Sequence, residues 1–252
     1  MLRSNYELIG SDQKVTKKTV WNAQEYTFIL SLVVQISVLI FSSVALGFSE
    51  VSEILSTILI LETVVQAVEL AWYVIIGVFF LQGQSFGVAY RYFDWLVTTP
   101  TMLISLHFLI LYFRIPCLTN KGLEIHFEDH DLILFTCITV ISNWLMLFSG
   151  WFVESKLTNG RRFGRWPILI GTLFFVGAFI PHFIQLSRYE TSEAVIFTIG
   201  TFFIWSIYGA VAWFYFDDTE PAARMKNTCY NLLDIVSKNL TGIIVSVIAL
   251  NF

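Results

Sequence analysis

Residues 225–251 read MKNTCYNLLDIVSKNLTGIIVSVIALN, a run long and apolar enough to cross a bilayer that nevertheless carries Asp234 and Lys238. A spanning helix needs about 20 mainly apolar residues, and an ionisable side chain inside one is a functional candidate by default. Asp234 and Lys238 are one helical turn apart, so their side chains are neighbours. Burial in an apolar span disfavours the ammonium form of a lysine and frees its amine as a nucleophile for a carbonyl. Lys238 is read as the one lysine inside a span, and such a group keeps a positive charge only if carboxylates stand close by.

The same pattern extends to the rest of the chain. Segments 26–48, 54–81, 87–113, 131–154, 166–187 and 193–216 also reach spanning length, so seven helices account for nearly all of the 252 residues. The chain is 56% hydrophobic and only 13% charged, about half the charge of a soluble domain, so its apolar surface must face lipid. The joins carry breakers: Gly47 to Glu53, Gln82-Gly83-Gln84-Ser85, Thr158-Asn159-Gly160, and Asp217 to Pro221. The longest join, 114–130, holds Pro116, Asn120, Gly122 and the acidic residues Glu124, Glu128 and Asp129, with Asp131 just beyond. The first 24 residues are polar and basic and lack the apolar core of a signal peptide. The expected fold is an all-α integral membrane protein, a seven-transmembrane helix bundle forming a single domain over 1–252.

Some chemistries find no support. Cys117, Cys137 and Cys229 form no spaced pairs, and His107, His126, His130 and His182 lack ligand spacing. No metal site, nucleic-acid surface or enzyme active site is expected.

Six charges stand well inside the predicted spans, away from their ends: Glu62, Glu69, Arg91, Asp94, Asp234 and Lys238. Arg91 and Asp94 are three apart and Thr98 lies four beyond Asp94, so the three share a face. Asp94 and Asp234 are candidates to face Lys238, with Arg91 balancing the surplus negative charge. Glu62, Gln66, Glu69 and Tyr73 recur at spacings of four, three and four. They form one polar stripe about 16 Å long at ~1.5 Å per residue. An acidic stripe inside a bundle draws cations and holds water; a hydrogen-bonded pair of glutamates that packs this helix and conducts nothing is the alternative.

The run Arg91-Tyr92-Phe93-Asp94-Trp95-Leu96-Val97-Thr98-Thr99-Pro100 resembles the third helix of the microbial (type 1) rhodopsins, and Leu233-Asp234-Ile235-Val236-Ser237-Lys238-Asn239 resembles their seventh. Asn143-Trp144-Leu145-Met146-Leu147-Phe148-Ser149-Gly150-Trp151 and Trp205-Ser206-Ile207-Tyr208 match the fourth and sixth. Trp166-Pro167 and Gly171 open the fifth as in the proteorhodopsin-like branch. The resemblance implies a retinal-binding photoreceptor in which Lys238 carries all-trans retinal as a protonated Schiff base. It makes Asp94 the main counterion and proton acceptor, Asp234 the second counterion, and puts Arg91 beyond both. The implied pocket is Trp95, Thr99, Met102, Asn143, Met146, Gly150, Trp205 and Tyr208, with Met102 in the green-absorbing setting.

Output is read from Asp94, Thr98 and Ser105. Pumps of this family usually carry a carboxylate where Ser105 stands, and serine does not titrate in the useful range. Asn239 directly after the lysine is similar to channelrhodopsins, where that residue faces glutamates of the second helix. With Glu62 and Glu69 the set looks most like the group-one viral rhodopsins, which are light-gated cation channels. A light-driven proton pump, with Glu62 replacing the missing donor if it lies at the depth of Ser105, is the alternative; a sensory rhodopsin is another. Glu69→Gln is expected to leave the colour nearly intact, on the premise that the stripe lies outside the retinal slot. Expected partners are the lipid bilayer, small cations or protons, and a possible homo-oligomer.

Orientation is ambiguous. Arg3, Lys14, Lys17, Lys18, Lys156, Arg161, Arg162, Arg165, Arg224 and Lys226 fall on the N-terminal side, against Arg114, Lys121 and Arg188 opposite. Basic residues favour the cytoplasm, whereas the resemblance implies an extracellular N-terminus. Because the resemblance spans the whole chain, an extracellular N-terminus is the expected orientation, with inverted insertion as the alternative.

Overall fold

The structure is a computed structural model that describes residues 4, 5, 18, 19, 23–48, 51–82, 87–119, 130–155, 157–188 and 191–251. The expected joins at 83–86 and 120–129, together with His126, Arg3, Lys14, Lys17, Lys121 and Lys156, lie outside the described residues. The spanning helices are α1 (Ala23–Phe48), α2 (Glu53–Leu81), α3 (Arg91–Thr119), α4 (His130–Glu154), α5 (Trp166–Arg188) and α6 (Ser192–Phe214). The seventh span is built from α7 (Glu220–Asp234), a π-helical turn (Ile235–Asn239) and α8 (Leu240–Leu250). All seven are long and apolar enough to cross a membrane. Neighbours in chain order pack together, and α7–α8 closes the ring on α1.

The helix ends only partly follow the sequence expectation. The third candidate span, Val88–Arg114, falls where expected, and its helix continues past it to Thr119, through Pro116. The seventh begins at Glu220, not 225. Thr219 caps it, its Oγ1 accepting from Ala222 N–H at 3.4 Å, and Pro221 sits in the first turn, where a missing N–H costs nothing. Ahead of α1, Ser4–Asn5 (β1) and Lys18–Thr19 (β2) form a two-residue antiparallel pair.

Lipid as solvent inverts the usual distribution of side chains. Large apolar residues such as Ile40, Leu134, Phe148, Leu173 and Ile196 are exposed on the outside, while Glu62, Glu69, Asp94, Asp234 and Lys238 are buried. Helices suit this environment because every mid-span backbone group is paired within its own segment. Above the site, Leu103, Leu106, Ile110, Phe175 and Phe179 pack between α3 and α5. Next to them, His107 and His182 stack with ring centroids 3.8 Å apart. Gln185 and Thr139 reach His107, and the Leu103 carbonyl reaches His182.

Lys226, counted above as a loop charge, is buried in α7. Its Nζ lies 2.5 Å from Glu154 Oε1, and Arg161 holds the other oxygen of Glu154 at 2.7 Å. Lys238 is therefore not the one lysine inside a span. Lys226 is tied into an ion triad at the helix ends, whereas Lys238 stands mid-span.

Candidate functional site

Residues 91, 94, 95, 98, 99, 102 and 105 of α3 recur at three- and four-residue spacings, which turns them to one inward face. Across from them the π-helical turn carries Ser237, Lys238 and Asn239, all buried. Lys238 Nζ donates to Asp94 Oδ2 at 2.7 Å. Two further carboxylates stand within reach, Glu69 Oε1 at 3.6 Å and Asp234 Oδ1 at 3.8 Å.

The three carboxylates are held differently. Asp234 accepts from Tyr73 and Tyr208 hydroxyls, each at 2.8 Å, and from Arg91 Nη1 at 3.2 Å. Arg91 also donates through Nε to Asn227 Oδ1 at 3.0 Å and through Nη2 to Asn231 Oδ1. Asp94 accepts from Lys238 with Thr98 nearby, and its second oxygen has no hydrogen-bond partner of ordinary geometry among the described residues. Neither oxygen of Glu69 has one either, so Lys238 is its charged neighbour. The stripe of α2 stays out of the cavity lining, as expected, but its Glu69 stands 3.6 Å from Lys238 Nζ, so the ground for expecting Glu69→Gln to leave the colour nearly intact is removed. Helical spacing shows which residues of α2 share a face, not what that face meets.

Further along α2, Gln66 Nε2 donates to the Lys238 carbonyl at 3.1 Å. Glu62 is fully buried beside Ser105, without a hydrogen bond of ordinary geometry. Asn239 is fully buried, its Nδ2 donating to the Asp234 carbonyl at 3.4 Å and its Oδ1 without a hydrogen-bond partner among the described residues. On α1, Ser31 donates to the Asn231 carbonyl and Gln35 to Ser31. This α1 face was missed, although Ser31, Gln35 and Ser42 at spacings of four and seven signal it.

A cavity of about 440 Å³ opens from Lys238, in the size range of small-molecule sites. Trp95, Thr99, Met102, Met146, Gly150, Trp205 and Tyr208 line it as expected, joined by Tyr92, Ile168, Gly171, Phe175, Phe202 and Ser237. Asn143 is the exception. It stands behind the wall, donating to Thr99 Oγ1 at 2.8 Å, and so positions a lining residue without being one. Gly150 is required, because a Cβ there would come within 2.7 Å of Tyr92 Cε1. Trp95 meets Tyr208 edge-on at 5.4 Å, so the aromatic walls are set at fixed angles. A long, flat, apolar aldehyde fits this donor set: an aromatic slot, with one amine at its end and carboxylates around that amine.

The sequence matches the family model described as bacteriorhodopsin-like protein over residues 13–252. The chain belongs to the bacteriorhodopsin-like family. That family is one of retinal-binding membrane proteins, and the microbial-rhodopsin resemblance stated above holds. Among solved structures, the viral rhodopsin OLPVRII is 25% identical with a TM-score of 0.67, covering 89% of this chain and 96% of that one. A blue light-absorbing proteorhodopsin from Med12 is 21% identical, with a TM-score of 0.65 and coverages of 91% and 98%. The proton pumping rhodopsin AR2 from the marine alga Acetabularia acetabulum shares the fold at 13% identity, with a TM-score of 0.68 and coverages of 90% and 95%. No curated protein matched.

Proposed function

We propose that this bacteriorhodopsin-like chain is a photoreceptor that binds all-trans retinal covalently at Lys238 and acts as a light-gated cation channel. The domain is 1–252, the N-terminus is extracellular, and small cations pass along α2 and the seventh span. Bound through Lys238 Nζ, retinal would supply light absorption and an isomerisation that displaces the charge on that nitrogen. Asp94 is the main counterion and proton acceptor, and Asp234 is the second, fixed in place by Tyr73, Tyr208 and Arg91.

The observation that carries the channel reading is the column Glu62, Gln66, Asn239 and Glu69. All four are fully buried, and each has an oxygen without a hydrogen bond of ordinary geometry among the described residues. Buried polar groups of this kind are normally hydrated or hold an ion, and carboxylates among them favour cations. Arg91, with Tyr73, Asp234, Asn227 and Asn231, seals the N-terminal-side end in the resting state. A charge displaced at Lys238 changes the field on Asp94 and Glu69 together, which couples light to that seal.

One observation favours a second reading. Glu62 does lie beside Ser105, the depth at which it can return a proton to the site, and this supports a light-driven proton pump. Photocurrent under voltage clamp separates the two. A channel current reverses sign with driving force as sodium, potassium and protons are varied singly; a pump current keeps one sign and sinks the channel reading. Tags on each terminus, stained before and after permeabilisation, test the orientation, and an N-terminal tag visible only after permeabilisation reverses it.

A further inference from the structure

We propose that His182 is a proton-binding site buried between α3, α4 and α5, with His107 held neutral against it. Neither ring enters the channel or the pump reading, and the proposal stands apart from both. The two imidazoles are fully buried and stacked, their centroids 3.8 Å apart and their planes 12° from parallel. They lie off the cavity lining. His107 is two residues beyond Ser105, which turns it to the opposite face of α3, away from the column of α2.

Donors and acceptors around the pair set the number of protons. His182 Nδ1 faces the Ala178 carbonyl at 3.2 Å, and its Nε2 faces the Leu103 carbonyl at 2.9 Å. A carbonyl only accepts, and a neutral imidazole has a single N–H. Neutral His182 therefore aims a lone pair at a carbonyl in either tautomer, whereas the imidazolium satisfies both. His107 is placed differently. Gln185 Nε2 donates to the His107 carbonyl at 3.2 Å, which leaves Gln185 Oε1 to accept from His107 Nδ1 at 2.7 Å. His107 Nε2 meets the Thr139 hydroxyl at 3.1 Å, and that hydroxyl also lies 3.2 Å from the Ala178 carbonyl. Once His182 Nδ1 serves Ala178, the Thr139 proton is free for His107 Nε2. Every acceptor of the cluster then has a donor, which no neutral assignment achieves. A second proton, on His107, would stack two cations face to face.

A buried charge is costly unless it is well bonded. Here it donates twice, through bonds of the charge-assisted kind. The stacked His107 face and the Phe179 ring at 5.6 Å lie against it, and π faces attract a cation. Among the described residues, no carboxylate or other cation faces the pair from α3, α4, α5 or α6. The next charges along those helices are Arg114 of α3, Glu193 of α6, and the Asp131–Arg188 pair of α4 and α5 at 2.7 Å. Glu62 stands across α3, beside Ser105. Arg188 is one turn beyond Gln185, so the proton has a short way in from that end. Its binding strengthens the bond from α5 to the Leu103 carbonyl, next to Met102 of the cavity wall.

The test is ¹⁵N magnetic resonance of histidine-labelled, full-length protein in lipid bilayers, which separates N–H from bare ring nitrogens. His126→Gln with His130→Gln removes the other histidines, so every signal comes from the pair. Titrated from about pH 8 to about pH 5, across the ordinary histidine range, the pair should end with one imidazolium and one neutral ring. Two neutral rings throughout, or two imidazolium rings at the acid end, overturn the site. His182→Phe keeps a ring in the stack and removes both nitrogens, and His107 should then stay neutral over the whole range. An imidazolium that persists in this variant belongs to His107 and overturns the assignment. If the variant does not fold, Gln185→Leu replaces it, because Gln185 bonds to His107 and not to His182. The neutral ring's signals should then move more than the imidazolium's, and the reverse order overturns the assignment.

Discussion

Asp94→Asn removes the carboxylate nearest to Lys238, and the charges left around that lysine determine its colour. With an effective dielectric of about 20, a unit charge 2.7 Å away contributes ~6 kcal/mol. When ionised, Glu69 at 3.6 Å and Asp234 at 3.8 Å contribute ~5 and ~4 kcal/mol on the same scale. Two buried cations, Lys238 and Arg91, face three carboxylates, so the native cluster has one carboxylate in surplus. Without Asp94, Glu69 and Asp234 balance the two cations, and ~9 kcal/mol of attraction to the linkage nitrogen remains. The single variant should therefore keep its protonated linkage and its visible colour, shifted to the red. Asp94→Asn with Glu69→Gln leaves one carboxylate for two cations, and the linkage should lose its proton and absorb in the near ultraviolet. Absorption spectra of both variants between pH 5 and 8 make the comparison. A single variant that bleaches across this range, or a double variant that stays red-shifted, refutes the charge balance.

Lys238→Ala should abolish visible absorbance of retinal-reconstituted protein, and a variant that stays coloured moves the attachment site elsewhere. Glu62→Gln should change conductance or reversal potential under voltage clamp with little change in colour, because Glu62 neighbours Ser105 rather than Lys238; currents matching wild type in size and selectivity favour simple packing. Glu154→Gln leaves Lys226 and Arg161 with a neutral partner. Breaking a buried pair costs about 3–5 kcal/mol, so the temperature at which the pigment bleaches should fall by several degrees; an unchanged bleaching temperature counts against a stabilising triad.

The seven spans were legible because twenty apolar residues in a row leave a chain few options in water. The ends of the helices were not, since Pro116 and Pro221 look like breakers in a sequence and are tolerated by α3 and by the first turn of α7. Lys238, Asp94 and the aromatic slot were legible from spacing and resemblance together. Two things depended on which helix faces which: the meeting of Glu69 with Lys238, and the pairing of Lys226 with Glu154 72 residues away. Periodicity gives the face of one helix and is silent on its partner. The Arg91 partners were in reach, because Asn227 and Asn231 are four apart on one face of α7.

The π-helical turn at Ile235–Asn239 makes the last span two helices spliced out of phase. A residue advances an α-helix by about 100° at 3.6 residues per turn. Deleting one residue inside this turn would thus hardly shorten the span, but would swing α8 by nearly a third of a revolution against α7. Gly242, whose absent side chain leaves room for Gln66, and Val245, fully buried in the core, would turn away from their places. Length and phase are separate variables in this segment, and alignments that treat an insertion there as a loop change will mistake a rotation for a gap.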